Sequence, residues 1–174
     1  MGTRGIIVRL DKKRRFAGNY HHWDSYPTKL GKTLWKLYHE HFERDLKQML
    51  QVLIDEHLGG WSTINGADFT LEPGWSNASI EQMNPVCYCH GDRHEEGRLI
   101  YPEDDYGAEW VYVFNEETNS MAILMAVDEA GIHAVGAFGT NPARKTWSAL
   151  ASFSLDGEEP NWEALYSFAY EGGE

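Results

Sequence analysis

The sequence predicts an α+β fold, an antiparallel sheet of about five strands carrying an N-terminal hairpin, with one long amphipathic helix packed on a face. Three observations carry this prediction. Apolar runs at both ends of the chain are joined by short polar turns, a single long stretch has apolar residues three and four apart, and no repeat or linker divides the chain. Its 174 residues suit one packed domain spanning 1–174.

Gly5 to Leu10 is apolar and β-branched, Asp11 to Arg14 is a polar break, and Arg15 to Trp23 resumes with alternating aromatics, which reads as an antiparallel hairpin. In a regular second strand His21 and His22 point to opposite faces. Asp24-Ser25-Tyr26-Pro27 is a turn, since Pro27 cannot donate a ladder hydrogen bond. Lys32 to Leu58 places Leu34, Leu37, Tyr38, Phe42, Leu46, Met49, Leu50, Leu53 and Ile54 on one helical face, with Glu40 and Arg44 paired outside and Gly59-Gly60 as the stop. Trp61 to Asn84 is rich in Gly, Ser, Asn and Pro, so it reads as a long ordered loop with a short strand near Asp68 to Leu71. Pro85 to His90 reads as a strand entering the charged turn Gly91 to Gly97. Glu109 to Phe114 and Met121 to Val127 form a second hairpin, and Gly131 to Phe138 adds a strand. Trp162 to Tyr170 fits a short helix or a strand equally.

Fifteen basic against 27 acidic residues give a net charge of -12, which disfavours nonspecific binding to a nucleic-acid backbone. The balance is uneven. Residues 1–47 hold 11 basic and 5 acidic side chains, while residues 48–174 hold 4 and 22. A small anion held by the basic first quarter remains compatible with this pattern, as does internal pairing of the two parts. The N-terminus lacks the apolar core of a secretion signal, no apolar run is long enough to span a bilayer, and the two cysteines lie one residue apart. The expectation is a soluble, cytoplasmic protein with no membrane partner.

Two turns concentrate polar and aromatic groups. In Tyr20-His21-His22-Trp23-Asp24-Ser25-Tyr26-Pro27, a histidine and a carboxylate offer hydrogen bonds or acid/base chemistry, and Trp23 and Tyr26 offer stacking. The same residues also make an ordinary structural turn, with Asp24 capping the backbone. In Cys87-Tyr88-Cys89-His90-Gly91-Asp92-Arg93-His94 the donors suit zinc, but the spacing does not. An extended strand turns Cys87 and Cys89 to one face and His90 to the other, so small buried hydrophobes are expected of the thiols, and no metal or other cofactor. Arg93, oriented by Asp92, has the geometry to grip an anion. The strip Arg9, Lys12, Lys13, Arg14 and Arg15 fits either a solvated hairpin tip or a phosphate contact.

The opening Met1-Gly2-Thr3-Arg4-Gly5, the run His22-Trp23-Asp24-Ser25-Tyr26-Pro27 with Leu30-Gly31, and Cys87-Tyr88-Cys89-His90-Gly91-Asp92-Arg93 resemble a family of small uncharacterised proteins from actinobacteria and phages. The resemblance covers roughly the first 115 residues. Many members read His-Trp-Asp-Gly-Tyr-Pro at the first motif and have an Arg-Asp-Arg-Gly-Glu type turn at the second. This chain has Ser25 in place of the glycine and its own His90-to-Glu95 sequence in the turn. The resemblance implies positions to test and no chemistry.

The function expected is binding of a small anionic or nucleotide-like ligand by a protein of phage or mobile-element type. Arg4 and Arg93 supply charge, Trp23 and Tyr26 stacking, and His22, Asp24, His90 and Asp92 hydrogen bonds. Two alternatives stand beside it. One is a hydrolase or transferase using His22 or His90 with Asp24 or Asp92. The other is an acidic protein that docks to a basic partner or imitates a nucleic acid.

Overall fold

A computed structural model describes residues 3–64, 85–89, 97–102, 107–127 and 146–171. Among these, seven strands form one mixed sheet: β1 (Gly5–Leu10), β2 (Phe16–His21), β3 (Trp61–Thr63), β4 (Val86–Cys87), β5 (Trp110–Asn115), β6 (Ser120–Val127) and β7 (Thr146–Ser154). Their order is β4-β3-β2-β1-β5-β6-β7. The expected hairpins form, with Val8 opposite Gly18 in one and Tyr112 opposite Ile123 in the other.

The antiparallel sheet of about five strands is overturned. Both β1–β5 and β2–β3 run parallel. The physical reason is the connections: β1 and β2 are joined to their parallel neighbours through long intervening segments, and only a long crossover lets two strands run the same way. β1 therefore sits mid-sheet, buried on both faces, which is why Ile6, Ile7 and Val8 form an unbroken apolar run, each with no exposure. β7 lies where the sequence pattern predicts no strand.

The single long helix is overturned too. The chain makes one helical run from Pro27–Gly31 through Lys32–Lys36 to Leu37–His41 and another from Leu46–Leu50 to Gln51–Asp55. Between them Glu43 and Arg44 take φ of 49° and 66°. The Phe42 and Arg44 amides turn back to the carbonyls of Leu37 and Tyr38 at 2.8 and 2.7 Å, closing the first run. Asp45 starts the second by accepting the Gln48 amide at 2.9 Å. The expected Glu40–Arg44 pair thus straddles a break. All nine apolar residues of the predicted face are nevertheless buried, in the core that the helices share with the sheet, so the face continues across the break. Both runs include bonds reaching five residues back, such as Glu56 to Gln51 at 2.9 Å, so they are wider than a regular α-helix.

Trp162–Glu171 resolves as a helix, with Asn161 accepting the Ala164 amide at its start. The larger core lies between the helices and one sheet face, where Trp61, Trp110, Tyr112 and Phe114 meet Leu34, Leu50 and Leu53. A smaller one, including Ile6, Val8, Val111 and Val113, lies on the other face. No helix among the described residues is long and apolar enough to cross a membrane. The strand expected at Pro85 to His90 is limited to Val86–Cys87 within the described residues, and those expected near Asp68 and Gly131 lie outside them.

Candidate functional site

At the end of β2, the side chains of His21 and His22 diverge as expected. His21 faces the helices and is almost fully buried, with the Ile64 amide donating to its Nε2 at 3.2 Å. The ring proton therefore belongs on Nδ1, which donates to Ser25 Oγ at 2.8 Å, while that hydroxyl turns to the His21 carbonyl at 3.3 Å. Burial, and then the neighbouring His22, push the His21 pKa down to about 3. Because the folded value lies below the ordinary one, this histidine contributes stability at neutral pH that is lost as pH falls from about 6.5 towards 3. Urea midpoints across that range should drop in the wild type, with His21→Gln showing a flatter profile; parallel profiles would contradict the assignment.

Ser25 ties the turn to the chain's beginning. Its amide donates to the Thr3 carbonyl at 2.9 Å, Tyr112 Oη donates to its carbonyl at 2.6 Å, and a Cβ at Gly5 would lie 2.7 Å from its own Cβ. Ser25 has no exposed surface, so these residues of the turn lock strand ends together.

The residues expected to hold a ligand divide between the two sheet faces. On the face away from the helices, Tyr20 Oη lies 2.7 Å from His22 Nδ1 and Trp23 meets the His22 ring edge-on at 4.6 Å. Burial raises the Tyr20 pKa to about 12 against the opposing influence of Arg4, so the hydroxyl stays protonated. Trp23 is 47% exposed, and Asp24 is exposed with φ of 55°. Tyr26 instead packs towards the helices, against Tyr166 at 5.5 Å. His22 and Trp23 are thus grouped, Arg4 acts electrostatically on the Tyr20 beside them, and Tyr26 is apart from them. His90, Asp92 and Arg93 lie outside the described residues, as does His94.

The first hairpin's tip builds a different site. A cleft of about 460 Å³ opens between the tip and the second helical run, lined by five cationic side chains, Arg9, Lys12, Lys13, Arg15 and Lys47, and by Asp11, Asp55 and Glu116. Two of the acids are engaged: Asp55 meets Arg9 at 2.7 Å, and Asp11 meets Arg15 at 3.3 Å. Asp11 also accepts the amides of Lys13 and Arg15, each at 2.8 Å, and these bonds, that of Arg15 foremost, lower its pKa. The carboxylate thereby organises the turn. The lining keeps Lys12, Lys13 and Lys47 against Glu116, a positive region on a chain of net charge -12. The basic strip was visible in the sequence, but Lys47 and the helix wall were not.

A third cluster joins distant residues. His57, Cys87 and Cys89 bring their donor atoms within 4.8 Å of one another. Cys89 Sγ lies 3.5 Å from His57 Nδ1 and 3.4 Å from Cys87 Sγ, with no disulfide. The two cysteines share a side as their spacing predicts, but the histidine beside them comes from the end of the second helical run. Comparison with family models, curated proteins and solved structures finds no match for the chain.

Proposed function

We propose that the protein binds a small anionic, phosphate-bearing or nucleotide-like ligand in the cleft between the first hairpin tip and the second helical run. The observation that supports this reading is the convergence of five cationic side chains on one concave surface of an acidic chain. The ion pairs of Arg9 with Asp55 and Arg15 with Asp11 hold the two guanidinium groups in place. That arrangement suits charge-assisted hydrogen bonds to phosphate oxygens, with the lysines adding mobile charge. The acidic remainder of the molecule repels long polyanions, which favours compact ligands.

Calorimetric titration with pyrophosphate and a nucleotide panel tests the reading. Binding is expected to weaken as salt rises. Lys12→Glu with Lys47→Glu should weaken it by about tenfold or more, since each reversal replaces attraction with repulsion inside the cleft. A folded wild-type protein that binds none of these ligands at millimolar concentration would refute it.

A further inference from the structure

We propose that His57, Cys87 and Cys89 form a transition-metal site that takes zinc, independent of the anion-binding cleft. The donor chemistry selects the class of ion. Two thiolates and an imidazole are soft or borderline ligands suited to zinc, whereas magnesium and calcium require oxygen.

Two of the three donor–donor distances fit a tetrahedral centre. With Zn–S of about 2.3 Å and Zn–N of about 2.0–2.1 Å, tetrahedral angles separate two sulfurs by about 3.8 Å and a sulfur from a nitrogen by about 3.6 Å. Two of the three separations are close to these values, 3.4 Å between the sulfurs and 3.5 Å between Cys89 Sγ and His57 Nδ1. The third, between Cys87 Sγ and the His57 ring, lies within 4.8 Å, so side-chain rotation must bring the Cys87 thiol and the imidazole into range of one ion.

The backbone holds these donors from independent directions. Trp61 of β3 pairs with Cys87 of β4, and the Tyr88 amide donates to the Gly60 carbonyl at 3.0 Å, which fixes the cysteine segment beside the chain that follows His57. The His57 carbonyl accepts from Asn19 Nδ2 at 2.6 Å and from the Gly60 amide at 3.0 Å. Its ring packs on Trp61 with centroids 4.5 Å apart. Cys87 and His57 are buried and Cys89 is half-buried, so the cluster has an inner wall and a side nearer solvent through which an ion can enter. These three donors leave a fourth tetrahedral position for water or another ligand.

Binding changes no oxidation state. The two S–H bonds release their protons to solvent, two S–Zn bonds and one N–Zn bond form, and the imidazole donates its lone pair from Nδ1. Metal capture would stiffen the β3–β4 edge by linking it to the end of the second helical run.

The test uses the full chain purified without chelator. Elemental analysis should find one zinc per chain. Replacement by Co²⁺ should give the visible bands of a tetrahedral centre and near-ultraviolet thiolate charge transfer. Cys89→Ser, at the half-buried position, should diminish the charge transfer and weaken Co²⁺ binding by at least about tenfold; His57→Gln should weaken binding comparably while keeping the thiolate signal. A folded protein that retains no zinc and develops no cobalt spectrum would overturn the proposal, leaving two thiols and an imidazole packed by weak S–H contacts. Bound cobalt with a spectrum unchanged in both variants would also overturn it, by locating the ion elsewhere.

Discussion

Gly18→Ala is expected to prevent the native sheet from forming or to destabilise it by at least about 3 kcal/mol, among the largest effects a single methyl can have. Gly18 pairs with Val8 across the first hairpin and exchanges backbone hydrogen bonds of 2.9 Å with Ile100 on its other side. A Cβ at this position would lie 1.8 Å from the Ile7 carbonyl oxygen and 2.7 Å from Val8 Cα. Those are backbone atoms of β1, the mid-sheet strand, which also pairs with β5 and cannot retreat without disturbing that ladder. Gly157→Ala is the control, since its nearest neighbour would be the Ser154 carbonyl oxygen at 3.3 Å. Urea denaturation should separate the two variants clearly. A Gly18→Ala protein with a wild-type midpoint would contradict the hairpin geometry.

Asn19→Ala should cost about 2–4 kcal/mol, because a buried donor serving several carbonyls would vanish. The Asn19 amide nitrogen reaches the carbonyls of Leu53, Ile54 and His57 at 2.9, 3.0 and 2.6 Å, joining β2 to the end of the second helical run. At the end of the run these carbonyls depend on donors from outside it; Leu53 also accepts from Trp61 Nε1 at 2.8 Å and His57 from the Gly60 amide at 3.0 Å, so truncation leaves the Ile54 carbonyl the most affected. Asn19 Oδ1 is itself buried without a hydrogen-bond partner, so truncation also removes an orphaned acceptor, which keeps the net loss below that of three independent bonds. Asn19→Asp should be at least as damaging, since a carboxylate would face three carbonyl oxygens. Both variants should lower the urea midpoint, and both should loosen His57 enough to weaken cobalt binding. Unchanged stability in Asn19→Ala would show that the helix end is held by other contacts.

Local pattern made much of this architecture legible. The apolar, β-branched run of Gly5–Leu10 and the aromatic alternation after the polar break disclosed the first hairpin, and three-and-four spacing identified nine buried positions of the helical face while missing the buried Trp35. The same spacing concealed the break at Glu43 and Arg44, because the apolar face continues across it and Asp45 looks like any exposed acid until its cap is seen. Strand direction was not legible either. Parallel pairing of Gly5 with Trp110 and of His21 with Trp61 joins segments whose sequences carry no mark of each other.

The functional residues follow the same division. The hairpin's basic strip was readable, but the wall contributed by Lys47, Gln51 and Asp55 depends on how the second helical run lies over it. Cys87 and Cys89 were readable as a pair on one side. His57 stayed hidden because metal-ligand spacing rules search nearby residues, and what joins it to the cysteines is the β3–β4 pairing. In the His22-to-Pro27 motif, the aromatic and acidic residues drew attention, whereas His21 and Ser25 hold the strand ends together from inside.

Backbone amide chemical-shift mapping during titration with pyrophosphate tests the ligand-binding account most directly, because it reports both whether an anion binds and where. The predicted result is saturable shifts confined to Arg9–Arg15, Lys47–Asp55 and Glu116, the residues around the cleft. Shifts centred instead on Arg4, His22 and Trp23, or none in the folded protein at millimolar ligand, would contradict it.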